Sequence, residues 1–299
     1  LSKAIKAIGA MKPKILSYGE IIFDVIKGKS FLGGAPLNFA WFANQLGAES
    51  TLISAVGNDD LGSEAISTIK NYGINSHINI SNQPTGTATV NSNGRFDITY
   101  PAAWSKIEIP ELEIPFCDLI YFGTLAQMST SNRNQIRYLV KKTATHVFLD
   151  LNLRCPFYSK DTILDSLKMA DIVKVNLEEW QEIKHLFSIN EPPALMDHFN
   201  LAHFAITMGD QGAMFFSGGQ KFQYKPGRIT EIDPTGSGDA FSAGLAIGLL
   251  SQMPKKEILE ASCRTGAAVA GNKGAHMKLP DTVKAQFSIS VSYTHLRAH

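Results

Sequence analysis

The chain has 299 residues, 44% hydrophobic and 18% charged, with Lys+Arg 28 against Asp+Glu 27 and a formal net charge of +1. That balance excludes a disordered chain and argues against electrostatic capture of nucleic acid or an anionic membrane surface as the main task. Three widely spaced cysteines, Cys117, Cys155 and Cys263, build neither a CxxC metal cage nor a disulfide framework, so a reducing cytoplasm is the expected compartment.

Leu1 to Ala10 precede Met11 and read as translated upstream sequence, while VSYTHLRAH at Val291 to His299 reads as adapter or cloning sequence. A single domain is therefore expected over residues 11–288. Within it, apolar and β-branched runs predict strands at Ile15–Tyr18, Thr51–Val56, Leu119–Phe122, Val147–Leu151, Ile172–Val175 and Phe204–Thr207, then an antiparallel pair from Ala213. Amphipathic spacing predicts helices at Leu37–Leu46, Gly62–Tyr72, Asn132–Ala144, Thr162–Met169, Leu177–Leu186, Ala240–Leu250 and Lys255–Ala270. This alternation is that of crossover units on a mostly parallel, doubly wound α/β sheet. The longest apolar run, Ala240 to Leu250, is about half of the roughly 20 residues that a bilayer crossing needs.

Two stretches break the alternation. Glu20–Ile26, and Thr85–Tyr100 with a turn at Asn93-Gly94, alternate apolar and polar residues with no helix between, and so predict antiparallel hairpin strands. Inserted at about 20–32 and 84–104, they are expected to meet as a small sheet covering a site at the strand ends of the core.

Several near-motifs fail. Gly28-Lys29-Ser30 lacks the P-loop glycine, since Phe23 stands in its place, and Phe241 replaces the third glycine of a GxGxxG beginning at Gly236. No histidine pair has metal spacing; His77, His146, His185, His198 and His203 lie in ordinary surface-like contexts. What remains is DPTGSGDAFSAG at Asp233–Gly244. Gly236, Ser237 and Gly238 let successive amides converge at the start of an apolar helix, where the macrodipole also favours an anion such as a phosphoryl group. Asp239 within that turn is either a helix cap or a base poised to take a hydroxyl proton; Asp233 and the flanking glycines favour the base. A second glycine turn, Gly33-Gly34-Ala35-Pro36-Leu37-Asn38, opens another helix, with Asn38 offering a donor and an acceptor near its start.

These two segments, in this order and about 200 residues apart, resemble the signatures of the ribokinase-like (PfkB) carbohydrate kinases, and the resemblance runs from Ile15 to Pro280. It implies a three-layer α/β/α fold with a β-sheet lid, ATP and a sugar as small-molecule partners, Mg²⁺, and in many relatives K⁺. It also implies Asp239 as base with Gly236, Ser237 and Gly238 around the transferred group, and Asp24, Gly33, Gly34, Asn38 and Arg154 at the sugar. Asn176 and Glu179 match an N-x-x-E element that organises phosphates and Mg²⁺, with Glu179 acting through water. Thr207, Gly209, Gly212 and Gly274 match the nucleotide-side turns, and Asp233 and Thr235 match a K⁺ site. GEIIFDV, PTGTATV, FGTLAQ and DLNLRCPFYS are most similar to bacterial fructokinases, except that Ser105 stands where aspartate is usual. D-fructose is the expected acceptor; 2-keto-3-deoxygluconate, ribose, tagatose 6-phosphate, adenosine and a noncatalytic sensor role stay open, as does monomer against lid-mediated homodimer.

Overall fold

The computed structural model describes residues 12–90, 96–109, 114, 116–227 and 229–288; both expected tails and the Asn93-Gly94 turn lie outside them. β1 (Lys14–Tyr18) leads into β2 (Ile22–Ile26) and β3 (Lys29–Gly33). Then come α1 (Ala35–Gln45), β4 (Glu49–Gly57), α2 (Asp60–Asn71), β5 (Asn75–Ser81), β6 (Gly86–Val90) and β7 (Phe96–Ile98). β8 (Cys117–Phe122), α3 (Thr130–Thr143), β9 (Ala144–Asp150), α4 (Lys160–Met169), β10 (Ile172–Asn176), α5 (Leu177–Phe187), α6 (Pro192–Phe199) and β11 (His203–Thr207) follow. The described residues close with the hairpin β12 (Ala213–Ser217) and β13 (Gln220–Tyr224) and the helices α7 (Ser237–Leu250), α8 (Lys255–Ala270) and α9 (Asp281–Ser288).

Strand alternation makes the layers. On β8, Leu119 and Tyr121 enter one buried core with α1, α7 and α8, while Ile120 and Phe122 enter a second with α3, α4 and α5. The sheet order is β13-β12-β11-β10-β9-β8-β1-β4-β5, parallel from β11 to β5, with the β12–β13 hairpin antiparallel at one edge. This is the expected α/β/α architecture. Helix starts carry local signals: Asp59 accepts from the Gly62 amide before α2, and Ser159 accepts from Thr162 before α4.

The small sheet has the order β3-β2-β6-β7. The expected antiparallel pairs are present, β2 with β3 and β6 with β7, and they meet as one sheet. β2 pairs antiparallel with β3, but it pairs parallel with β6, from Ile22 opposite Gly86 to Val25 opposite Thr89. The reason is topological: β1 and β5 run parallel and finish at the same carboxyl end of the main sheet, so the strands that leave that end after each of them run outward side by side. Ile22, Ala88, Ala102, Leu125 and the fully buried Trp104 form a separate core that fixes the base of this sheet to the main body. β5, α6 and α9 are not among the elements expected from the sequence. β5 is an edge strand whose sequence, NSHINIS, is half exposed, and the two helices have only eight residues each.

Candidate active site

The order of strands reverses its direction of growth at β1, with β4 and β5 on one side and β8 to β11 on the other. Such a switch point opens a crevice at the carboxyl ends of the strands. The first turns of α1 and α7 both meet there. Ahead of α7, Gly236 has φ 80°, and a Cβ on it would come within 2.9 Å of the Ala275 methyl, so a glycine is needed for this turn to close against the 271–280 loop. Asp233 joins the two loops, its Oδ1 accepting from the Thr235 amide and its Oδ2 from the Gly274 amide, both at 3.0 Å.

Asp239 sits in the first turn of α7, half-buried, and its Oδ2 accepts a hydrogen bond from Asn38 Nδ2 on α1 at 2.7 Å. Burial, then the nearby Asp150 carboxylate, push its pKa up to about 7, against the opposing pull of Asn38, Lys174 and Arg154. A carboxylate so placed can accept a proton near neutral pH. Beneath it, Lys174 Nζ on β10 pairs with Asp150 Oδ1 on β9 at 3.1 Å, and a Cβ on Gly238 would lie 3.1 Å from the same ammonium. Burial opposes the Lys174 charge, but Asp150, Glu179 and Asp239 outweigh it and its pKa is raised. Asp150 Oδ2 also accepts from Ser242 Oγ at 2.8 Å and Tyr121 OH at 3.2 Å, so the buried anion is fully partnered. A positive centre thus lies directly beside the glycine turn.

On the lid side, Gly34 has φ 109°, and a side chain there would run into the Glu20 carbonyl. A Cβ on Gly33 would lie 3.6 Å from Asp24 Oδ2, which places the β2 carboxylate over the end of β3. The exposed Arg154 guanidinium acts on Glu20, Asp24 and Asp239 alike, drawing all three carboxylates down. Burial nonetheless raises Asp24, and it pushes Glu20 up to about 7. Glu20 is buried and its Oε2 has no hydrogen-bond partner among the described residues.

On the opposite side, Asn176 and Glu179 form a reciprocal capping box at the start of α5: Glu179 N donates to Asn176 Oδ1 and Asn176 N donates to Glu179 Oε2, each at 2.8 Å. Thr207 stands opposite Asn176 in the β10–β11 register. The turn after it carries Gly209 at φ 56° and Gly212 at φ 85°, where any Cβ would strike the Tyr224 carbonyl; Gly274 has φ 79°. These contacts link Asn38 with Asp239, Gly33 with Asp24 and Asp233 with Gly274, and the Arg154 charge reaches Asp24 and Asp239. A cavity of about 720 Å³ between Trp180, Met196 and the β12–β13 hairpin lies at the far end of β11 and touches none of them.

The pfkB family carbohydrate kinase model matches residues 4–282. The chain belongs to the pfkB family of carbohydrate kinases. Fructokinase from Escherichia coli is 26% identical over 298 residues, covering 90% of this chain and 97% of that protein. Among solved structures, fructokinase from Vibrio cholerae O395 in its fructose-, ADP- and calcium-bound form superposes with a TM-score of 0.81 at 21% identity, covering 92% and 99% of the two chains. A sugar kinase from Pyrococcus horikoshii in complex with ATP gives 0.77 at 22% identity, covering 91% and 99%. The ribokinase-like fold expected from the motifs is the one this carbohydrate kinase has.

The donor sets bear on metals. Both Glu179 oxygens accept backbone hydrogen bonds, Oε1 from the Leu153 amide at 2.9 Å and Oε2 from Asn176, so Glu179 suits a hydrated Mg²⁺ held through water rather than direct ligation. Among the described residues no three His, Cys, Asp or Glu side chains converge on one point. Asp233 accepts from the Thr235 and Gly274 amides, and these bonds with the nearby Lys273 charge hold its pKa below the ordinary value even against burial. Glu20 and Lys174 interact with the Asp239 carboxylate, and neither is among the candidates read from the sequence. Lys174 alone carried a legible signal, a charge within the apolar strand sequence IVKVN.

Proposed function

We propose that the chain is a cytoplasmic ATP-dependent fructokinase that transfers the γ-phosphoryl group of ATP to the primary 6-hydroxyl of D-fructose. The observation that carries this reading is the Asp239 carboxylate, oriented by Asn38 and set beside the Gly236–Gly238 turn and the Lys174 ammonium. Asp239 takes the hydroxyl proton as the sugar oxygen attacks the γ-phosphorus. The bond to the β–γ bridging oxygen breaks, and ADP leaves. The amides of Gly236 and Gly238 stabilise the charge on the group in flight, while the Ser237 amide, which donates to the Pro234 carbonyl at 3.1 Å, shapes the turn that presents them. Asp24, Gly33, Gly34, Asn38 and Arg154 hold the sugar, and lid closure excludes water from the transfer. Thr207, Gly209, Gly212 and Gly274 border the nucleotide; Asn176 and Glu179 orient a hydrated Mg²⁺, and Asp233 and Thr235 hold K⁺. The metal supplies charge neutralisation on the phosphates. The catalytic unit works as a monomer or as a homodimer paired through the lid.

The sugar is the point on which a second reading has support. Ser105 Oγ donates to the Ala102 carbonyl at 2.7 Å, within its own turn, so the residue that replaces the usual aspartate is already engaged. A different acceptor from the same chemical group follows if that aspartate is needed for fructose. The test is a coupled ADP-release assay over fructose, 2-keto-3-deoxygluconate, ribose, tagatose 6-phosphate and adenosine, with and without K⁺. Fructose is expected to give the highest kcat/KM. Turnover with none of the five refutes these acceptors, and tight sugar binding without ADP release would support a sensor.

A further inference from the structure

His276 lies in the loop after α8, and none of the motifs accounts for it. Its Nε2 is 2.7 Å from Asn38 Oδ1, and Asn38 Nδ2 is 2.7 Å from Asp239 Oδ2, so three side chains from three parts of the chain form one unbranched row. The terminal carboxylate dictates every direction in that row. An ionised Asp239 only accepts, so the Asn38 amide must turn its NH₂ toward it; its oxygen then faces His276, which must carry a proton on Nε2 to meet it. With the opposite tautomer, lone pairs would face each other at one of the two contacts.

The loop is registered for this contact by more than the histidine. Asn38, Trp41 and Gln45 recur on one face of α1. Trp41 Nε1 and Gln45 Nε2 each donate to the Met277 carbonyl at 3.2 Å, and Gln45 Oε1 accepts from the Leu279 amide at 2.8 Å. Tyr72 packs edge-on to the imidazole with ring centroids 5.2 Å apart. The same loop reaches Asp233 through the Gly274 amide. Burial pushes the His276 pKa down to about 4, so near neutral pH the ring is uncharged and carries a single proton.

We propose that His276 is a positioning residue of the phosphoryl-transfer site: by donating Nε2–H to Asn38 it locks the amide with Nδ2 toward Asp239, tying the orientation of the base to the 271–280 loop. This rests on the reading of Asp239 as the base. Two substitutions separate a donor from a filler: His276→Gln keeps an N–H donor at the end of the side chain, and His276→Met keeps volume without one. His276→Met is expected to lower kcat about tenfold, the scale of one lost orienting hydrogen bond to a charged acceptor network, with KM for sugar and ATP within about twofold. His276→Gln is expected to return kcat to within about twofold of the parent.

A long-range ¹H–¹⁵N spectrum of the parent should show the Nε2–H tautomer, and this readout stands even if His276→Met fails to fold. Parental kcat in folded His276→Met, equal loss in both variants, or an Nδ1–H tautomer each overturns the proposal. Asp239→Ala serves as the control: parental turnover in that variant refutes the base itself, whereas its inactivity alongside parental His276→Met refutes the row alone.

Discussion

Replacing Asp239 by Asn separates what this carboxylate does for turnover from what it does to the fold. The amide keeps an acceptor for Asn38 Nδ2 but cannot take a proton, so kcat should fall by at least about 10²-fold with nucleotide affinity retained. Stability should move the other way. The folded protein raises Asp239 from 3.8 to about 7, chiefly by burial and the Asp150 charge, so between those values the folded state holds a proton that the unfolded chain has released. The parent therefore loses stability from this group as pH rises from about 4 to 7. At about 1.4 kcal/mol per pKa unit the full difference is about 4 kcal/mol, and solvent at the mouth of the crevice screens part of it, leaving about 2–4 kcal/mol. Asp239→Asn escapes this penalty. In urea titrations its advantage over the parent should be near zero at pH 4 and reach that range by pH 8, while ADP release by the parent rises through pH 7. An Asn variant that turns over like the parent, or whose stability tracks the parent at every pH, refutes the reasoning.

Three further substitutions test the surroundings. Lys174→Met leaves the Asp150 carboxylate buried without its cation and should cost about 3–5 kcal/mol in urea denaturation, along with a fall in kcat. Asp59→Ala removes the cap on the Gly62 amide and the contacts to Thr85 N and Oγ1, at a cost of about 1–2 kcal/mol at pH 7. Because those hydrogen bonds hold the Asp59 pKa below its ordinary value even against the effect of burial, its contribution is present above the ordinary carboxylate range. It is lost as pH falls through the lowered value, so the gap between parent and variant should close in acid urea titrations. Gly236→Ala forces a side chain into a left-handed turn against Ala275 and should lower Tm in step with about 1–3 kcal/mol, with kcat falling further than KM changes.

The central sheet was legible because buried parallel strands carry their signal locally: Leu119–Phe122 and Phe204–Thr207 are apolar on both faces and need no partner to be recognised. β5 was not legible, since Asn75–Ser81 lies at the edge, paired on one side with β4, and is half exposed. The parallel pairing of β2 with β6 was hidden for a related reason. Which strand lies beside Ile22 depends on where β5 ends, more than 50 residues later, and nothing between Glu20 and Ile26 encodes it.

The candidate site divides in the same way. Glycines forced by backbone geometry, such as Gly236 and Gly34, stand beside the residues they serve, so a short segment of sequence displays both. The groups that set the proton affinity of Asp239 come from elsewhere: the charges of Asp150 from β9, Lys174 from β10 and Arg154 from the segment after β9, and the hydrogen bond of Asn38 from α1, which is 201 residues away along the chain. A motif can therefore announce an acid in a phosphate-binding turn without announcing whether that acid is ionised at neutral pH. Two chains that share DPTGSGDAFSAG but differ at positions equivalent to Asp150 or Lys174 should share the turn and differ in the pH at which its carboxylate loses its proton. Burial raises that pH, Asp150 raises it further and Lys174 lowers it, so exchange of either charge should displace the acid limb of the kcat profile in the opposite sense to the charge's own effect.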